Sequence, residues 1–509
     1  MSHDAEDIKE VLSSREEAFE RKRKKAGLVL GPLVFLILYF TPFPALNDSG
    51  HKLLAILGFV VIFWITEAVP IPVTALLGVA LSAVLGAATV KDALAGFSDH
   101  IIFLFIGSFI IAEAISMHGL DKRFSLAILS IRFFGQTPRG ILLAFGIITA
   151  VVSMWISNTA AAAMMLPVGI GILSVIKAAS GSEADAAFNR YAAVLMLMIA
   201  YGASVGGIAT PVGTPPNLIG IAMIEKLTGV RINFYEWMRF ALPPTVVMFG
   251  VLYLILSSFG ASSMKLSGVR EYVSAERGKL GNWSVAERNT ALCFGVAVLL
   301  WVLPSLAMGI LGKAHPVSIM LDARLKEGVS AIIAAALLFV LPVSFKELKF
   351  TMTWQRAAKI DWGTIILFGS GISLGTMMFS SGLAEAFGKW LASFTFAGGL
   401  WGLTAAATLM GIILSETTSN TASANMTIPI VIAMALAMGV HPLPPALGAC
   451  LGSSFGFMLP VSTPPNAIVY GSGMVPIFTM VKRGILFDIA GFVIIVLGLR
   501  IICPLLGWA

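Results

Sequence analysis

Apolar stretches long enough to cross a bilayer recur along this sequence from one end to the other. They fall at about 27–45, 53–69, 72–90, 101–117, 140–156, 160–177, 191–224, 240–258, 290–312, 328–343, 363–381, 390–414, 422–440, 443–459 and 484–506. About 20 apolar residues in a helix cover a hydrocarbon core of roughly 30 Å. No water is present there to satisfy backbone groups, so such stretches must form helices or a closed barrel. The runs are continuous rather than alternating, which selects helices. Composition agrees: only 12% of the 509 residues are charged, about half the share a water-facing surface requires. The expectation is an all-α polytopic membrane protein. Its net charge of +7 sits between the apolar runs, where basic residues set topology, so nucleic-acid binding is not indicated. Cys293, Cys450 and Cys503 show neither metal-ligand spacing nor a disulfide framework.

Charge divides the chain further. Residues 1–25 are polar and end in Arg21-Lys22-Arg23-Lys24-Lys25, which places the N-terminus in the cytoplasm and suggests a short surface helix. A long apolar run follows with no clear cleavage site, unlike a signal peptide. Residues 26–258 form a first membrane half. Residues 259–289, carrying Lys265, Arg270, Glu271, Glu276, Arg277 and Lys279, read as a cytoplasmic connector. Residues 290–509 form the second half.

The two halves repeat each other. Ser153-Met154-Trp155-Ile156-Ser157-Asn158-Thr159-Ala160 precedes Pro211-Val212-Gly213-Thr214-Pro215-Pro216-Asn217 in the first half. In the second, Ser415-Glu416-Thr417-Thr418-Ser419-Asn420-Thr421-Ala422 precedes Pro460-Val461-Ser462-Thr463-Pro464-Pro465-Asn466. The lead-ins Gly202-Ala203-Ser204-Val205-Gly206 and Gly452-Ser453-Ser454-Phe455-Gly456 match as well. Two long motifs in the same order mark an internal duplication. The unequal spacing within each half is assigned to a polar loop around 178–190.

Each motif breaks an apolar run. Ser, Asn and Thr start helices and bond local backbone, and Pro-Pro enforces an extended break. Irregular backbone at membrane depth survives only where it lines a cavity. Interrupted helices at matching points of two repeats therefore point to a transport site. The segments 140–176 and 191–224 contain no Asp, Glu, Lys or Arg, and Glu416 is the only one between Lys389 and Lys482. An anion held there would meet hydroxyls, amides and helix N-termini, each contributing about 1 kcal/mol. A co-bound cation would be the largest local charge. Importing a dianion against about −100 mV costs roughly 4.6 kcal/mol, which cotransported sodium would offset.

At these residues the chain resembles the divalent anion–sodium symporter family, from about Leu53 to the C-terminus. Phe63-Trp64-Ile65-Thr66-Glu67-Ala68-Val69-Pro70 resembles that family's early segment too. The resemblance implies two inverted-topology repeats, about 11 spans, a scaffold domain and a moving transport domain, and a homodimer in the inner membrane. It implies re-entrant hairpins at about Ser98–Ala112 and Trp362–Met378, with tips near 105–108 and 368–373. It also implies one sodium site on Ser153, Ser157, Asn158 and Gly213 and a second on Ser415, Thr418, Asn420 and Ser462. Substrate contacts would come from Asn158, Thr159, Thr214, Ser419, Asn420, Thr421 and Thr463. The expected activity is secondary active transport of succinate-, malate- or fumarate-type dicarboxylates by an elevator motion, probed below as sodium symport. Ser415 and Ser462 stand where sodium-coupled members carry Thr and Ala, which leaves sodium-independent exchange, or tricarboxylate or sulfate transport, as alternatives. No organic cofactor is expected.

Gly371-Ile372-Ser373-Leu374-Gly375 matches a hydrolase elbow, but it lies in an apolar run with no strand before it and no histidine partner, so catalysis is not expected. Glu416, an acid at membrane depth, is a functional candidate or a helix cap. Glu67 and Glu113 read as structural pairs, and His100, His118 and His441 as isolated residues near segment ends.

Overall fold

The computed structural model describes residues 14–131, 137–180, 185–260, 268–393 and 399–509. Ten helices among these residues are long and apolar enough to cross a membrane. Sixteen helices form the two repeats. The first contains α1 (Asp48–Thr66), α2 (Ile71–Val84), α3 (His100–Met117), α4 (Pro138–Ser153), α5 (Asn158–Ser180), α6 (Asp185–Gly207), α7 (Pro215–Thr228) and α8 (Phe234–Gly260). The second contains, in the same order, α9 (Val285–Leu311), α10 (Glu327–Val340), α11 (Trp362–Ser380), α12 (Gly399–Thr417), α13 (Asn420–Ala437), α14 (Leu443–Gly452), α15 (Pro464–Gly471) and α16 (Ile477–Leu506).

The repeats interlock. The pair α2–α11 is answered by α10–α3, α7–α13 by α15–α5, and α7–α14 by α15–α6, while α8 packs on its own counterpart α16. Such crossed pairing is what an approximate two-fold between repeats produces. Neither motif-bearing half is built by one repeat alone.

Local chemistry sets the breaks. Thr137 caps α4 by accepting from Gly140 N at 2.9 Å, with Pro138 at the first helical position, where its missing N–H costs nothing. At about 1.5 Å per residue, the 16 residues of α4 reach only about 24 Å. The chain then reverses. An added Cβ on Gly169 of α5 would touch Phe145 of α4, and one on Gly207, at the far end of α6, would touch Asn158. Thus α5 runs back along α4, and the first Ser-Asn-Thr motif is the tip of a helical hairpin. In the second repeat, Ser423 of α13 bonds to Gly411 O of α12 at 3.1 Å, which gives the same reversal around the second motif. Close packing supports each hairpin: a Cβ on Gly206 would lie 2.2 Å from Ala150 O, and one on Gly452 2.4 Å from Thr408 O.

Several expectations are corrected. The hairpins do not lie at 98–112 and 362–378, because both expected tips fall inside the continuous helices α3 and α11. Those runs carry no residue that stops a helix, whereas the Ser-Asn-Thr tips do. The basic cluster 21–25 belongs to one helix, Ser14–Phe40, that continues into the first apolar run; residues 1–13 of the polar N-terminal segment lie outside the described residues. This helix seats Gly27 on Thr66 and Gly31 on Phe63 of α1, and Arg23 pairs with Glu67 at 3.1 Å. The interval around 178–190 is mostly the ends of α5 and α6; residues 181–184 lie outside the description. The protein is not purely helical either, since Pro342–Ser344 and Lys349–Phe350 form a small antiparallel ribbon.

The connector carries a helix, Val269–Lys279, and Arg123 secures its far end. That guanidinium donates to Glu287 at 2.7 and 3.1 Å and to the carbonyls of Leu280, Gly281 and Asn282 at 3.0–3.3 Å. Arg123→Ala removes the partner of a nearly buried carboxylate, so it is expected to cost about 3 kcal/mol. Thermal unfolding of the purified protein in detergent should show the midpoint falling, with Arg123→Lys recovering part of the loss.

Candidate binding site at the two broken-helix motifs

In the first repeat, Ser157 Oγ accepts from Ala160 N at 3.2 Å and starts α5. Asn158 therefore sits in the first turn with its side chain turned back toward α4 and the loop before α7. The atom at the inward end of its amide lies 2.7 Å from Ser153 Oγ, 3.1 Å from Ala203 O and 3.2 Å from Gly213 O. With Nδ2 inward, the amide donates to all three. With Oδ1 inward, four oxygens converge and only the Ser153 hydroxyl, at 2.7 Å, brings a proton. That second orientation is stable only with a cation among the oxygens, and uncharged oxygen donors suit a hard monovalent ion. One amide rotation thus switches the cluster between a self-satisfied and a cation-ready state.

The second repeat places the same atoms together. Ser415 Oγ donates to Asn420 Oδ1 at 2.8 Å and to Ser453 O at 3.0 Å. Ser453 holds the place of Ala203 in the matching lead-in. Around Gly456 a Cβ would meet Ser462, Ser415 O and Thr463 within 3.2 Å, so Ser415, Ser462 and Thr463 face one small volume. Ser419 Oγ accepts from Ala422 N at 3.2 Å and starts α13.

Not every expected residue joins these clusters through its side chain. Ser157 is an exposed cap, Thr159 is exposed, and Thr418 turns its hydroxyl to Leu414 O at 2.8 Å. Thr421 receives Asn425 Nδ2 on its carbonyl at 2.9 Å. Thr214 and Thr463 are buried at the extended residues that precede Pro-Pro, and Thr463 Oγ1 has no partner.

Asn217 and Asn466 were present in the motif but carried no assigned role, and they hold the unwound segments in shape. Asn217 Nδ2 donates to the carbonyls of Gly207, Ile208 and Thr210 at 2.9, 3.3 and 2.7 Å. Asn466 Nδ2 reaches Gly456 O and Leu459 O at 2.9 and 3.0 Å. One amide thereby satisfies carbonyls that have no helical partner and no water. The segments are also tied to the hairpin tips. Thr210 Oγ1 donates to Met154 O, and Ser462 Oγ to Glu416 O at 3.0 Å.

Glu416 does more than cap. Its Oε1 accepts from Phe457 N at 2.5 Å and Met458 N at 2.8 Å, and its Oε2 from Ser462 Oγ at 2.7 Å. The carboxylate is a strut for the second unwound segment. Ser373 Oγ accepts from Gly96 N at 3.0 Å in the middle of a helix, so it joins two elements and is no nucleophile. Glu113 pairs with Arg356 at 2.6 Å, His118 bonds to Thr351 O at 2.8 Å, and the three cysteines are free and buried.

Comparison with known proteins places this geometry in context. Residues 22–508 match the family model described as the sodium:sulfate symporter transmembrane region. The sodium-dependent dicarboxylate transporter SdcS of Staphylococcus saprophyticus is 33% identical over 487 residues, covering 94% of this chain and 91% of that protein. SdcS of Staphylococcus aureus strain USA300 is 33% identical over 520 residues, covering 97% and 96%. Among solved structures, the Alcanivorax borkumensis YdaH transporter matches with a TM-score of 0.53 at 13% identity, over 96% of this chain and 98% of that one. Neisseria gonorrhoeae MtrF matches with a TM-score of 0.51 at 12% identity, over 95% and 94%. At that identity the two structures speak to the fold alone, and the fold is shared from end to end.

Proposed function

This chain belongs to the sodium:sulfate symporter family of membrane transporters, and we propose that it carries small dicarboxylates of the succinate, malate or fumarate type together with sodium. The observation that carries the reading is the paired cluster Ser153–Asn158–Gly213 and Ser415–Asn420–Ser453, built twice from uncharged oxygens. Sodium would take the Oδ1-inward state of each cluster, with Ser157 supplying backbone in the first and Thr418 and Ser462 completing the second. The anion would then lie against Asn158, Thr159, Thr214, Ser419, Asn420, Thr421 and Thr463. Each asparagine can face an ion with its oxygen and an anion with its NH2. No lysine or arginine occurs in 140–176, 191–224 or 390–481, so bound sodium supplies the positive charge the site needs. The 33% identical relatives named as sodium-dependent dicarboxylate transporters favour this substrate class over sulfate.

The motion proposed is an elevator. Helices α7 and α13 pack on α11, whereas α15 and α5 have no comparable contact with α3 among the described residues. Two chemically similar halves seated unequally on their surroundings are what one end-state of alternating access requires. The transporter would work as a homodimer in the inner membrane, with the Arg21–Lys25 cluster holding its N-terminus in the cytoplasm. Uptake of labelled succinate, citrate and sulfate into proteoliposomes tests the reading. Succinate should accumulate only with an inward sodium gradient; equal uptake in potassium, driven by internal dicarboxylate, would assign exchange instead.

A further inference from the structure

Asp488, midway along α16, is 6% exposed. No donor reaches either of its carboxyl oxygens. The polar group it does touch is another acid, Glu416, itself 3% exposed. Two ionised carboxylates cannot share a buried contact without a positive charge between them, and none of the described basic residues supplies one. On α16 itself, Lys482 is exposed and Arg483 stacks on Phe259 at 3.6 Å. From α6, the Tyr201 hydroxyl is spent on Phe457 O at 2.6 Å and Met480 O at 3.2 Å. From α14, the Cys450 thiol donates to Pro216 O. On α8, Glu236 is bonded to Asn233, Tyr253 to Arg139 O, and Arg239 is exposed.

Glu416 identifies which acid keeps the proton. A carboxylate offers about four lone-pair sites. Phe457 N and Met458 N occupy two on Oε1, and the Ser462 hydroxyl one on Oε2. A single place remains, and it faces a group that can fill it only as a donor. We propose that Asp488 is a neutral acid that donates its proton to Glu416, and that this carboxyl–carboxylate pair pins residues 457–462 of the second binding loop. The proton is the ligand of the pair. A sodium ion between the two acids would find Glu416 already saturated by donors.

The pair exists in one repeat only. The residue eleven places into α8, Thr245, matches Asp488 eleven places into α16, and Met154 matches Glu416. Thr245 bonds its own helix at Ala241 O, 2.8 Å away. The second loop therefore carries a proton-dependent strut that the first lacks, and Asp488 is a positioning residue. The inference goes beyond the transport reading and does not depend on which anion is carried.

Infrared spectra of the purified protein at neutral pH should show the carbonyl stretch of a protonated carboxylic acid that Asp488→Asn removes. Asn can donate to Glu416 in place of the acid, so uptake should stay within about threefold of wild type and lose the decline that wild type shows as the proton is stripped at alkaline pH. Asp488→Ala, which leaves the fourth site of Glu416 empty, should lower uptake about tenfold. Where Asp488→Asn does not fold, Asp488→Ser offers a second donor of smaller volume. A wild-type spectrum without the acid band overturns the proposal, as does a band unchanged in both donor variants or carboxylate bands that shift with sodium in its absence. None of these spectra requires transport to be measured.

Discussion

Asn158→Ala and Asn420→Ala are each expected to abolish uptake while the protein still inserts and purifies as folded transporter. Asn158 meets Ser153, Ala203 and Gly213 in one amide position, and Asn420 meets Ser415, whose hydroxyl is shared with Ser453 O. Removing Asn158 deletes a bond or ion contact to each of three partners. At about 1 kcal/mol apiece the loss is about 3 kcal/mol, roughly two orders of magnitude in affinity. Both residues sit in the first turn of a helix whose start is capped by a separate serine, so the helices should survive the change. Uptake in proteoliposomes, with the unfolding midpoint measured beside it, checks this: activity at background and a midpoint within a few degrees of wild type. Full activity in either variant would remove that cluster from the site.

Asn217→Ala and Asn466→Ala should fail differently. Asn217 Nδ2 serves three carbonyls of an unwound segment. Ile208 O keeps a second donor, Trp237 Nε1 at 3.1 Å, so the variant strands Gly207 O and Thr210 O. Two buried carbonyls without partners cost about 3 kcal/mol together. Asn466→Ala strands Gly456 O and Leu459 O in the same way. Both variants should lose at least tenfold in uptake and also show a clearly lower unfolding midpoint. That pairing of lost stability with lost activity separates a strut from a binding residue. Uptake lost without a change in midpoint would instead make Asn217 a ligand.

The contrast between the two asparagine pairs shows what the amino-acid sequence can carry. Duplication of Ser-x-x-x-Ser-Asn-Thr-Ala and Pro-Val-x-Thr-Pro-Pro-Asn locates every helix break, because capping and proline chemistry act over a few residues. The same local chemistry makes the crossed partnership of the repeats expected in outline. It does not say where the chain reverses. The hairpins were expected around 105–108 and 368–373, yet α3 and α11 run unbroken there, and reversal depends on which helices later pack together. Glu416 was legible as an intramembrane acid, but its partner was not. Asp488 is 72 residues away in the sequence, in a span that reads as an ordinary membrane helix, and only packing of α16 on α12 brings the two acids together. Residues such as Thr418 were misjudged for the opposite reason: a threonine in a helix readily bonds its own preceding turn, and this one does.

The central claim is that the two repeats build one site, in which sodium prepares both clusters for a single anion. Equilibrium binding of labelled succinate to the purified protein tests it directly, with sodium and with potassium, in wild type, Asn158→Ala and Asn420→Ala. The account predicts a single class of binding sites in wild type, seen only in sodium, and no saturable binding in either variant. Binding that survives intact in one variant, or that is equally tight in potassium, would contradict it.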